Sequence, residues 1–117
     1  ENQVNLHYLK GGLFENLIIN EFIKRSFHRG ENRLPYFWQD NHGKEIDCLL
    51  VNGNKLTPVE IKSGKTMSAS YFDNLQYWRQ LTAVPENQGY VVYGGEQSMQ
   101  TSTGSFISWR ELEHIPD

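Results

Sequence analysis

Apolar positions fall into two rhythms along this chain. From Leu13 to Ser26 they recur at helical spacing, with Leu13, Phe14, Leu17, Ile18, Phe22 and Ile23 on one side. That spacing predicts a first helix, preceded by a lead-in over Glu1–Lys10 and a break at Gly11-Gly12. Arg29–Arg33 reads as a polar loop. Leu34–Gln39 reads as a short strand, with Pro35 near its start where a missing donor is tolerated. Asp40-Asn41-His42-Gly43 is a turn. From Lys44 to Lys62 the rhythm changes to alternation, with Asn52-Gly53 in the middle as the signal of a two-residue hairpin loop.

A second helix is predicted over Ser70–Leu81. Tyr71, Leu75, Trp78 and Thr82 lie along one face, and Ser70 and Asp73 have the spacing of a capping box. After a loop over Pro85–Gln88, Gly89–Tyr93 reads as a buried strand. Glu96–Gly104 is polar and turn-rich, which predicts a mobile loop. Ser105–Trp109 is a last short strand and Arg110–Glu113 a helical turn. The predicted order is helix, strand, strand, strand, helix, strand, strand (α-β-β-β-α-β-β). That order gives an α/β fold with a mixed sheet and flanking helices. The strands on either side of the second helix would run parallel through a right-handed crossover.

The hairpin carries the chemistry. With Asn52-Gly53 as the loop, Val51 faces Asn54 and Glu45 faces Glu60. Glu45, Asp47, Glu60 and Lys62 then share one face, and Ile46, Cys48, Leu50, Val59 and Ile61 share the other. Like charges placed opposite one another on a sheet are destabilising. Two readings account for them. One is a solvated polar face over an apolar one. The other is a seat for a hard divalent cation, which takes one or two carboxylates plus water and phosphate. Glu15 poses a similar question, because its helix neighbours are Ile18, Ile19 and Phe22. It is either an acidic residue favoured at a helix start or a third carboxylate aimed at the same place.

Composition narrows the field. The chain has 117 residues, enough for one domain with a single core. Its net charge of −3 gives no general basic attraction to nucleic acid, so any such binding must rest on a local patch. One cysteine, Cys48, cannot form an internal disulfide, which fits a reducing, cytoplasmic setting. The four histidines lack zinc-ligand spacing. No apolar run is long enough to span a membrane. Gly64-Lys65-Thr66 imitates the end of a phosphate-binding loop, but the position five before Gly64 is Val59 rather than Gly, so nucleotide binding is rejected there. Lys24, Arg25, Arg29 and Arg33 cluster near the end of the first helix, where cations suit the dipole.

Asp47, followed after thirteen positions by Glu60-Ile61-Lys62, resembles the motif of the PD-(D/E)XK nuclease superfamily, the restriction-endonuclease-like fold. A narrower resemblance spans nearly the whole chain. Gly12-Leu13-Phe14-Glu15-Asn16-Leu17, Glu45-Ile46-Asp47 and Pro58-Val59-Glu60-Ile61-Lys62-Ser63-Gly64 look like the uncharacterised domain at the C-terminus of many prokaryotic AAA+-type ATPases. One departure is that Ile46, not Pro, precedes Asp47. The resemblance implies that residues 1–117 are one nuclease-like domain whose parent chain also carries an N-terminal ATPase. It implies Mg²⁺ or Mn²⁺ held by Glu15, Asp47 and Glu60, with Asp47, Glu60 and Lys62 catalytic.

The resulting expectation is a Mg²⁺-dependent deoxyribonuclease hydrolysing DNA phosphodiesters. Glu45 would support the ligands, and Gln76 would orient water or phosphate from the second helix. DNA and the parent ATPase are the expected partners, no membrane is involved, and a homo-oligomer is left open. The alternative is a non-catalytic module that docks the ATPase onto DNA or a protein. A shared fold does not by itself establish catalysis.

Overall fold

The computed structural model describes residues 12–30, 35–53, 55–82 and 89–116. The expected lead-in over 1–10, most of the Arg29–Arg33 loop, Leu34, Asn54 and the 85–88 loop lie outside them. In chain order the elements are α1 (Leu13–His28), β1 (Tyr36–Gln39), β2 (Glu45–Asn52) and β3 (Lys55–Lys62). A 3-10 turn at Ala69–Phe72 leads into α2 (Asp73–Thr82). Then come β4 (Tyr90–Tyr93), β5 (Met99–Gln100), β6 (Ser105–Ser108) and a closing 3-10 turn at Leu112–His114.

The strands form one six-stranded mixed sheet in the order β1-β2-β3-β4-β6-β5. β2 pairs antiparallel with β1 on one side and β3 on the other, while β3, β4 and β6 run parallel. The expected parallel pairing across the second helix is therefore present, through α2. The sheet separates two cores. On one face, Ile18, Ile19 and Phe22 of α1 pack with Cys48, Val59, Ile61, Val92 and Ile107. On the other, Leu75 and Trp78 of α2 pack with Ile46, Leu49, Val91, Tyr93 and Phe106. Val91/Val92 and Phe106/Ile107 divide between the two cores because adjacent strand residues point to opposite faces.

Several expectations need correction. Asn52 pairs with Lys55, so the hairpin turns one position later than expected. Gly53 takes a positive φ of 62°, as a tight hairpin turn requires. The register is shifted by two residues, so Cys48 rather than Ile46 pairs with Val59. Continuing that register outward puts Asp47, not Glu45, opposite Glu60. A slip of two preserves which side chains share a face, so the hairpin's facing logic survives the error.

Ile46 is the exception. It packs in the α2 core with Leu49, while Cys48 packs in the α1 core. Against β1 the register steps from Tyr36↔Leu49 to Trp38↔Ile46, two residues opposite three. This is a bulge in β2 around Asp47, and bulges re-aim a side chain.

α1 buries Ile18, Ile19, Phe22 and Ser26, whereas Leu13 and Leu17 of the expected stripe are exposed. The buried stripe is thus rotated toward Glu15. The Ser70–Asp73 capping box does not form, because residues 69–72 wind as a 3-10 turn and the Ser70 hydroxyl pairs with that of Ser68. The loop expected over 96–104 contains β5, which pairs with β6. Two residues are too few to show a periodicity.

The end of β4 closes against the segment that follows β3. The Gly94 N–H donates to the Gly64 carbonyl at 2.8 Å, and a Cβ on Gly94 would meet the Ser63 carbonyl oxygen at 2.5 Å. Gly94→Ala should therefore destabilise the fold by about 1–3 kcal/mol through backbone displacement. Urea unfolding of the two proteins measures this, and an unchanged midpoint would mean that the Ser63–Gly64 segment yields freely.

Candidate functional site

β2 and β3 pair residue by residue from the turn to Cys48↔Val59. Beyond that point two carboxylates take over the backbone donors. The Asp47 N–H donates to Glu60 Oε1 at 3.0 Å, and the Ile61 N–H donates to Asp47 Oδ2 at 2.8 Å. Each strand thus bonds to a side chain of the other. The bulge turns Asp47 toward this seam, and the register continues to Glu60 directly across it.

The seam is dry. Glu60 is only 2% exposed and Asp47 is half-buried. Loss of solvation, above all, raises both acids, Asp47 to about 6 and Glu60 to about 8. Their mutual repulsion raises Glu60 further, and the charge of Glu15 raises Asp47. Their backbone hydrogen bonds and the charge of Lys62 oppose the rise without cancelling it. At neutral pH the pair therefore holds a proton between its members, and its titration belongs to the pair.

α2 supplies the wall. Asn74 Nδ2 donates to Glu60 Oε2 at 3.3 Å. Lys62 Nζ lies 5.7 Å from the centre of the Tyr71 ring, within cation–π range. Chemically, two carboxylates beside an ammonium group offer anionic oxygen ligands and a cation at one spot. That donor set fits a hard divalent cation, which needs only one or two carboxylates besides water and phosphate.

Comparison with known families gives one match. Residues 10–112 match the family described as Domain of unknown function (DUF4143). The chain belongs to this family. No curated protein and no solved structure is similar enough to count as a match.

In this DUF4143 chain, the sequence-derived site residues divide into groups. Asp47, Glu60 and Lys62 act on one another in the seam. Glu15 lies near enough for its charge to act on Asp47, and its Oε2 is shielded from solvent. However, among the described residues no three His, Cys, Asp or Glu side chains are grouped to hold a metal, so the expected convergence of Glu15, Asp47 and Glu60 on one point is not observed. Glu45 pairs with Gln39 at the start of β2 and is not among the groups shifting Asp47 or Glu60.

Gln76 is exposed and lines a separate cavity with Met67, Phe72 and Met99. Asn74 occupies the place expected of it. The missed signal was spacing. Asn74 lies three residues after Tyr71 and four before Trp78, a polar residue on the apolar stripe. Among the described residues no helix is long and apolar enough to cross a membrane.

The raised acids set a pH dependence. An unfolded chain releases these protons near the ordinary carboxylate values, while the fold keeps them up to about 6 and about 8. Between those limits the folded state binds more protons, so stability falls as pH rises. Metal-free wild type should lose melting temperature from pH 4 toward pH 8 relative to Glu60→Gln, which carries no charge there. Thermal melts in chelator across that range test the sign. A wild type that gains on Glu60→Gln with rising pH would refute the buried pair.

Proposed function

We propose that this domain is a metal-dependent phosphodiesterase acting on DNA, with a restriction-endonuclease-like arrangement of its mixed sheet. The observation that carries the reading is that each strand's backbone donates to the other's carboxylate, Asp47 N–H to Glu60 and Ile61 N–H to Asp47, which holds the two acids together beside Lys62. Two raised, mutually repelling acids are an unfavourable arrangement for a merely structural seam. A divalent cation would relieve it, and the acid-x-Lys spacing of the PD-(D/E)XK superfamily supports the same reading.

Asp47 and Glu60 would hold Mg²⁺ or Mn²⁺, with Glu15 contributing charge from α1. The cation supplies a charge that polarises the phosphate and makes water acidic enough to attack. Lys62 offsets charge that builds on the phosphate oxygens as the water oxygen adds to phosphorus and the ester bond breaks. The proton lost by water ends on the leaving oxygen. Family members occur with AAA+-type ATPases, and such an ATPase in the parent chain would deliver the DNA. In the second reading the domain only docks that ATPase onto DNA or a protein. The lack of a three-residue metal group among the described residues favours it.

Metal separates the two. Millimolar Mg²⁺, Mn²⁺ or Ca²⁺ should raise the melting temperature, because a ligand of the folded state stabilises it by mass action. Indifference to all three ions at low salt leaves only the docking reading. Lys62→Met should keep the fold and cut Mn²⁺-dependent cleavage of plasmid DNA by about 10²-fold or more. Equal cleavage by both proteins would assign the activity elsewhere. Glu15→Gln should leave metal-free stability equal or higher, since its charge opposes Asp47, and should shrink the gain on adding Mg²⁺. A less stable metal-free variant with a full Mg²⁺ response would make Glu15 a helix-start residue only.

A further inference from the structure

Glu60 is held at both ends of its carboxylate by donors from different elements. Oε1 accepts from the Asp47 N–H of β2 at 3.0 Å, and Oε2 accepts from Asn74 Nδ2 of α2 at 3.3 Å. The last torsion of a glutamate is broad and roughly two-fold, so one donor alone leaves the group free to turn. Two donors on opposite oxygens fix its plane. Asn74 is half-buried in a row of apolar residues, with Leu75 and Trp78 fully buried beside it. An amide in that position loses solvation unless it is bonded, and Glu60 is the partner it meets.

We infer that Asn74 is a positioning residue, which acts through Glu60 to set the carboxylate plane presented to a divalent cation. The inference rests on the metal-dependent reading of the site and adds a residue outside the acid-x-Lys motif. The 3-10 turn that leads into α2 steadies the amine. Tyr71, three residues before Asn74, places its ring under Lys62 Nζ. The turn and the first turn of the helix therefore hold the anionic and the cationic partner side by side. Groups bonded to metal ligands commonly change affinity by about 10–100-fold when removed.

Mn²⁺ binding to the full chain, measured by calorimetry, tests this alongside metal-free melting temperature. Wild type should bind Mn²⁺. Asn74→Ala should melt near wild type without metal and bind Mn²⁺ about 10-fold or more weakly. Asn74→Asp places a third carboxylate against Glu60. It should melt lower than wild type without metal, and its gain on adding Mn²⁺ should exceed that of wild type. An Asn74→Ala dissociation constant equal to that of wild type overturns the inference and leaves the metal site standing. If Asn74→Ala does not fold, an Asn74→Asp gain no larger than that of wild type overturns it equally. A wild type that binds no Mn²⁺ removes the metal site, and the role of Asn74 with it.

Discussion

Bonds from the Asp47 N–H to Glu60 and from the Ile61 N–H to Asp47 stand where two antiparallel strands would otherwise complete their ladder, and much of the molecule answers to that constraint. A seam closed by side chains needs acceptors of the right length at facing positions. It also needs a backbone that turns one of them inward. The bulge in β2 does the turning. Glu60, near the middle of a sheet with β4 on its far side, cannot retreat to water. Two carboxylates without water hold a proton, and the nearby Lys62 moderates their charge without removing the penalty. α2 contributes Asn74 and the turn before it contributes Tyr71, so the helix that buries Trp78 also furnishes a polar edge over the seam. The cost of holding two acids out of solvent is thus concentrated in the same few residues.

Much of this was legible in the residues. Helical spacing around Ile18 and Phe22, and alternation around Cys48 and Val59, placed α1 and the hairpin near their observed bounds. The hairpin loop was set one position early and the register two positions off. Asp47 and Glu60 were still placed on one face, though not opposite one another, because a two-residue slip leaves side chains on their faces. The bulge was not legible. It depends on how β1 seats against β2, and nothing local to Asp47-Cys48 encodes that. Ile46 was assigned to the wrong core for this reason.

On α2, the sequence reading offered Gln76 to orient water or phosphate, and Gln76 is exposed. Counting from the buried row would have found Asn74, since a lone amide between Tyr71 and Trp78 requires a partner in the sheet. Glu15 has the apolar neighbours that its spacing implies, and its charge acts on Asp47. Proximity in charge is a weaker condition than convergence on one ion, and spacing along a helix cannot tell the two apart.

Cys48 follows Asp47 in β2, yet its thiol lies in the opposite core, fully enclosed by α1 and held neutral by that burial. A reagent in solution reaches that sulfur only after α1 lifts away or β2 parts from β3. The second motion breaks the bonds of the residue next door, whose carboxylate closes the seam. The lone cysteine is therefore a clock wound into the strand. The rate at which it is labelled counts how often this part of the sheet breathes, and any ligand that clamps Asp47 slows the count.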